Sequence, residues 1–293
     1  MSEFENKVVV ITGAGGGLGK SHALEFARRG AKIVVNDLGG SGDGTGASDM
    51  ADAVVEEIKA AGGVAIANKA SVSSKEGAKS IIEDAVAEFG TVDILINNAG
   101  ILRDKSFKKM PLEDWDIVMD VHLNGTAYVT HAAWPIMYDK GYGRIVMTSS
   151  TSGIYGNFGQ ANYGAAKMGM LGLINVLAIE GATKNIRVNG LAPSAATRLI
   201  ATIPGREALD HENPDPEVHP RLVTPAVLLM ASEDAPTGKV IQAGGGRFSM
   251  CAIFNNEAVE LGADASYEDL LAAKDQLFDM DSAEEGWNRR RQS

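Results

Sequence analysis

A chain of 293 residues, 45% apolar and 22% charged, has the make-up of a packed globular protein large enough to bury one substantial core. Its net charge of -11, with no basic stripe interleaved with aromatics, disfavours nucleic acid as a partner. Cys251 is the only cysteine, which excludes an intrachain disulfide and leaves thiolate metal sites short of ligands. No apolar run approaches the ~20 residues that span a bilayer, and the opening MSEFENKVVVITG lacks a basic region before a long apolar stretch. The chain is therefore expected to be cytoplasmic, with no metal and no membrane partner.

Short β-branched runs alternate with longer helical patterns: Val8 to Thr12, Ile33 to Asn36, Val64 to Ala67, Ile94 to Asn97, Ile145 to Thr148 and Arg187 to Leu191. A last run, Lys239 to Ala243, is expected at the sheet edge. Each gap between the earlier runs can hold a crossover, so the fold class is α/β, a doubly wound and mostly parallel sheet in one Rossmann-type domain. That domain is expected over residues 1–247, with 248–293 as a C-terminal extension of weak helical periodicity. Two segments break the rhythm. Leu38 to Ser48 is a loop rich in glycine and serine, and Ser194 to Pro220 is too rich in proline for a continuous helix. The second is expected to form a lid, residues 194–220, with Leu199, Ile200 and Ile203 facing an apolar substrate.

The first run leads directly into Thr12-Gly13-Ala14-Gly15-Gly16-Gly17-Leu18-Gly19, and a helix is expected from Lys20 to Arg29. Glycines allow a tight turn and close approach of a pyrophosphate, and the helix start offers free N–H groups. Thr12, Gly13, Gly17, Leu18 and Gly19 are thus candidate cofactor contacts. Asp37 ends the second run, where a carboxylate accepts hydrogen bonds from an adenosine ribose and repels an added phosphate, so NAD is the expected cofactor. Asn97-Asn98-Ala99-Gly100 ends the fourth run; Asn98, Ala99 and Gly100 are read as facing the cofactor, and Asn97 as either structural or binding. Tyr163 and Lys167 stand at i and i+4 on one helix face, a spacing that lets an ammonium stabilise a phenolate for proton exchange with an alcohol. Ser150, closing the fifth run, is placed to hydrogen-bond the same substrate oxygen.

Taken in order, TGAGGGLG, NNAG, the Ser149-Ser150 pair, YGAAK and VNGLAP resemble the short-chain dehydrogenase/reductase family over about residues 5 to 246. The resemblance implies that Tyr163 is the general acid/base, that Lys167 holds the nicotinamide ribose, and that Ser150 orients the substrate oxygen. It further implies cofactor contacts at Ser71, Val72, Pro193, Ala196 and Thr197. The stretches IVVNDLGG, NNAGILRDKSF and SGIYGNFGQANYGAAK are similar to the branch of (R)-3-hydroxyacyl-CoA dehydrogenase regions found in type 2 peroxisomal multifunctional enzymes. An acyl-CoA substrate is implied, with a hydroxysteroid or a 3-oxoacyl carrier-protein as alternatives, and a homodimer or homotetramer as the assembly. A non-catalytic dinucleotide sensor is the alternative of another class, opposed by intact Ser150, Tyr163 and Lys167. Three positions depart from the family pattern. His122 stands where many members carry a catalytic asparagine, with Asn124 two positions later, and is read as a proton-relay variant or a structural histidine. Ser194 replaces a glycine, and Ser71 an acidic residue.

Overall fold

Val8–Thr12, five consecutive residues with no charged side chain, form the fully buried strand β1 at the centre of a computed structural model that describes residues 2–197, 210 and 214–286. The other parallel strands are β2 (Lys32–Asn36), β3 (Val64–Asn68), β4 (Ile94–Asn97), β5 (Gly143–Thr148), β6 (Ile186–Ser194) and β7 (Val240–Gly244). Their order is β3-β2-β1-β4-β5-β6-β7, followed by β8 (Arg247–Cys251). Every pairing from β3 to β7 is parallel, which places the carboxyl ends of these strands on one edge. The strand order reverses between β1 and β4, the crevice where doubly wound sheets bind ligands.

Alternation along the strands divides the core between two faces. Val9, Ile11, Ile33 and Val35 pack with Phe26 of α1 (Gly17–Arg28), Ile58 of α2 (Met50–Ala60) and Met230 of α8 (Thr224–Ala231). Between α2 and α8 the chain forms α3 (Lys75–Phe89), α4 (Leu112–Met119), α5 (Gly125–Lys140), α6 (Thr151–Tyr155) and α7 (Ala161–Glu180). Buried faces of α3, α5 and α7, including Ile81, Val129 and Ile174, serve the opposite side of the sheet.

Two expectations need correction. The run ending near Ala243 is not the edge, because Gly245 and Gly246 both take left-handed φ values and turn the chain back into β8. β6 also continues past Leu191 to Ser194, since β7 offers partners as far as Gly244. The expected lid therefore begins inside a strand. Of its span, Leu199, Ile200 and Ile203 lie outside the described residues; its described ends are joined where Ala196 N–H donates to Val218 O at 2.8 Å.

The chain divides into two compact units, Met1–Ser249 and Met250–Ser293. Within the second, β9 (Phe254–Asn255) pairs antiparallel with β10 (Glu284–Glu285), and α9 (Tyr267–Ala272) starts at a reciprocal Ser266–Asp269 cap. Strand pairing there adds to the helical periodicity expected of residues 248–293.

His22 on α1 is fully buried beside Thr224 of α8, with Nδ1 2.9 Å from Thr224 Oγ1 and Nε2 without a hydrogen-bond partner. Burial lowers its pKa from 6.5 to about 3. The unfolded chain binds this proton below pH 6.5 and the folded chain only near 3, so stability falls as pH drops through that window. His22→Gln is expected to lose less stability than the natural chain between neutral pH and about pH 4, as read from thermal unfolding at each pH. Parallel losses in the two proteins would rule out His22 as a source of acid lability.

Candidate active site

The turn after β1 is a cradle that side chains would fill. Gly13 and Gly17 adopt left-handed φ values of 64° and 51°. A Cβ on Gly13 would lie 2.7 Å from Ala99 Cα, and one on Gly19 would lie 2.2 Å from Gly13 O. The N-terminus of α1 has no side-chain cap and no acidic residue in its first turn, so its leading N–H groups are left for an anion. Thr12 Oγ1 accepts from Asn98 N–H at 3.0 Å and Ala99 N–H at 3.1 Å, while Asn98 Nδ2 donates to the carbonyls of Thr12 and Gly13. These bonds lock the two motifs together across the switch point. Thr197 borders the cradle, 3.4 Å from where a Gly17 Cβ would sit.

Asp37 follows β2 and reaches the same turn: its Oδ2 accepts from Gly15 N–H at 2.8 Å and its Oδ1 from Gly39 N–H at 2.7 Å. It is only partly buried, which leaves carboxylate lone pairs toward the crevice. A glycine turn with no room for side chains, an uncapped helix start and this carboxylate together fit a dinucleotide. Ser71 and Val72 follow β3, with Ser71 Oγ 2.8 Å from Ser73 Oγ and Val72 packing where a Gly125 Cβ would be. Pro193 and Ala196 lie at and just after the end of β6. Asn97 Nδ2 donates to Thr130 Oγ1 at 3.0 Å, which gives it a structural role.

His122 sits in a single π turn, Asp120–Asn124, inserted between α4 and α5. The extra residue turns the imidazole inward. Its Nε2 lies 2.7 Å from Ile101 O, its Nδ1 is buried without a partner, and its ring meets the Tyr163 ring edge-on at 5.1 Å. Gly100 is required beside it, since a Cβ there would lie 2.4 Å from His122 Cε1. Asn124, the other candidate for the fourth position, instead donates to Asp120 Oδ1 at 2.7 Å. Burial and then the Lys167 charge hold His122 well below its usual value, so the ring is neutral.

The start of α7 and the end of β5 bring the remaining groups together. Ser150 Oγ accepts from Ser152 N–H at 3.1 Å, whereas Ser149 Oγ donates to Lys167 O at 2.9 Å. Lys167 Nζ donates to Thr148 O at 2.5 Å and lies 5.5 Å from the Tyr163 ring centre. Burial pushes the Tyr163 phenol up to about 12, opposed by the Ser150 hydroxyl and reinforced by the Asp104 charge. Burial likewise pushes Lys167 down to about 7. The phenol thus moves up rather than down in the protein chain by itself, because burial disfavours the phenolate.

The motif reading gave no role to Asn162, Gln160 or Asp104. Asn162 is fully buried; its Nδ2 donates to Arg103 O at 3.2 Å and Asp114 O at 3.1 Å, and its Oδ1 accepts from Tyr163 N–H at 2.8 Å. It fastens the first turn of α7 to the segment after β4. The partners are 59 and 48 residues away in the chain; Asn162 and Arg103 lie within two of the motifs, and Asp114 lies in neither.

A dinucleotide cradle at the switch point of a parallel sheet, with serine, tyrosine and lysine converging beside it, defines a nicotinamide-dependent oxidoreductase. The family model for short chain dehydrogenases matches residues 7–202, and the chain belongs to the short-chain dehydrogenase/reductase family. It is 47% identical over 285 residues to a Mycobacterium tuberculosis chain assigned to the short-chain type dehydrogenases/reductases, covering 97% of this chain and 98% of that one. It is 54% identical over 245 residues to peroxisomal multifunctional enzyme A of Dictyostelium discoideum, covering 83% of this chain and 54% of the longer relative. This chain therefore spans about half the length of that multifunctional relative. Among solved structures it is similar to a 7α-hydroxysteroid dehydrogenase complexed with NADH and 7-oxo glycochenodeoxycholic acid, with a TM-score of 0.72, 30% identity and coverage of 83% and 94%.

Proposed function

We propose that this chain interconverts an (R)-3-hydroxyacyl-CoA and its 3-oxo thioester with NAD as the hydride carrier. The observation that carries the reading is the convergence of Ser150, Tyr163 and Lys167 beside the glycine cradle. A nicotinamide dinucleotide in that cradle would supply hydride transfer. Thr12, Gly13, Gly17, Leu18 and Gly19 would hold its phosphates, Asn98, Ala99, Gly100, Pro193, Ala196 and Thr197 its nicotinamide half, and Ser71 and Val72 its adenine half. Ser150 orients the substrate oxygen while Tyr163 Oη exchanges its proton. Lys167 can carry a proton near neutral pH because its pKa lies at about 7. His122, with a neutral ring and an unpartnered Nδ1 beside the phenol, extends the route outward.

The motif stretches shared with the multifunctional branch support an acyl thioester substrate. So does an apolar rim: Lys105 N–H bonds Gly159 O at 2.9 Å, which brings Phe107, 75% exposed, toward Phe158, 90% exposed. The likeness to a hydroxysteroid dehydrogenase favours a hydroxysteroid as the second reading. Self-association is supported by Met168, Val176 and Ile179, apolar side chains exposed along α7. Initial rates with NAD or NADP and a panel of (R)-3-hydroxyacyl-CoAs and hydroxysteroids test the substrate; turnover of steroids alone would transfer the assignment to the second reading.

Cofactor choice is assigned to Asp37. Its negative charge opposes a 2′-phosphate, so Asp37→Ala should reduce the NAD-over-NADP preference in kcat/KM by about tenfold or more. A natural enzyme that uses NADP as well as NAD would contradict this role.

A further inference from the structure

Asp104 lies between β4 and α4, in the segment fastened to the start of α7. Four contacts make that attachment rigid. Lys105 N–H donates to Gly159 O at 2.9 Å, Asn162 Nδ2 donates to Arg103 O, and Ile101 and Leu102 pack against Tyr163. The fourth is Gln160 Nε2, which donates to Asp104 Oδ2 at 2.6 Å while Gln160 Oε1 accepts from Asn157 Nδ2 at 3.0 Å. Gln160 is the residue immediately before α7 and is 3% exposed. Asp104 Oδ1 is buried and has no hydrogen-bond partner, an expensive arrangement for a carboxylate. The nearby cations do not neutralise it: Arg103 and Lys105 pair with the carboxylate of Asp114, at 3.0 and 3.4 Å.

We propose that Asp104 is a positioning residue for proton transfer, its carboxylate held by Gln160 against the first turn of α7 on the segment whose Ile101 and Leu102 pack against Tyr163. The inference rests on the reading of Tyr163 as the acid/base. The groups around the phenol are Ser150 from the end of β5 and Lys167 from α7 itself. His122 from the π turn is neutral, and Asp104 from the segment after β4 supplies the negative charge. An anion in that place disfavours a phenolate, so it keeps the tyrosine ready to donate to a ketone oxygen. The same charge delays alcohol oxidation, which needs the deprotonated phenol, to higher pH.

The test is the pH profile of kcat/KM for alcohol oxidation in Asp104→Asn, Asp104→Glu and the natural enzyme, with dinucleotide affinity measured in parallel. Asp104→Asn keeps the shape and the bond to Gln160 but removes the charge. Its rising limb is expected about one pH unit lower, giving several-fold more activity on the acid side, with unchanged dinucleotide affinity. Asp104→Glu should restore the natural position of the limb. An asparagine variant whose activity falls equally at every pH, with no shift, overturns the proposal and leaves Asp104 a structural anchor. Asp104→Ser takes its place if the asparagine variant fails to fold, with the same two outcomes. Full activity in Tyr163→Phe would instead remove the acid/base reading itself, so the two failures are distinguishable.

Discussion

Tyr163→Phe is expected to lose at least about 10²- to 10⁴-fold in kcat, the range supplied by a positioned general acid/base, with dinucleotide affinity nearly unchanged. The substitution removes only the hydroxyl. Its ring stays edge-on to His122 and its backbone stays fastened by Asn162 Oδ1, so the pocket keeps its shape. The loss should fall on kcat and kcat/KM together, because the proton is in flight only in the transition state. Single-turnover rates and a fluorescence titration with NADH check both halves. Residual turnover within tenfold of the natural enzyme would mean that another group moves the proton.

Lys167→Met is expected to abolish turnover and to stabilise the fold at the same time. Lys167 is 2% exposed, and its ammonium's one hydrogen bond among the described residues is to the Thr148 carbonyl. A drop in pKa from 10.5 to about 7 corresponds to a folding penalty on the order of 5 kcal/mol for the protonated lysine. Methionine removes that penalty, while leaving Thr148 O without its donor costs about 1–3 kcal/mol. The pH dependence has a definite sign. Between about 7 and 10.5 the unfolded lysine keeps a proton that the folded one has released, so the natural chain gains stability as pH rises. The methionine variant should therefore have the higher Tm at and below neutral pH, and its advantage should vanish as pH approaches 10.5. A variant less stable than the natural chain at pH 7 would show that the buried ammonium is compensated in a way the geometry does not reveal. Stability gained by removing a functional group is the expected trade at a site that holds a charge in an apolar environment.

The sheet, the cradle and the serine–tyrosine–lysine set were legible in the sequence because each depends on local spacing. Buried parallel strands require continuous apolar runs, a phosphate turn requires glycines directly after a strand, and i and i+4 positions share a helix face. Strand bounds differed from those runs mainly at their ends, where pairing with a neighbour decides how far a strand continues. The edge of the sheet was not legible for that reason, since β8 exists only because β7 is there to receive it.

Tertiary structure alone decided the electrostatics of the site and its supporting contacts. A π turn sets His122 inward and leaves Asn124 on Asp120. Ser149 is taken up by the Lys167 carbonyl. Asn162, Gln160 and Asp104 meet their partners through chain separations of 48 to 59 residues, which no periodicity records. The directions of the Tyr163 and Lys167 shifts likewise follow from burial, a property of the packed chain and not of the YGAAK motif. The sequence by itself determined the doubly wound α/β class, the glycine-rich cradle and the serine–tyrosine–lysine set, since those rest on local pattern. Which neighbours hold them, and the proton affinity they acquire there, was decided by long-range packing, because desolvation and cross-chain hydrogen bonds exist only after distant segments meet.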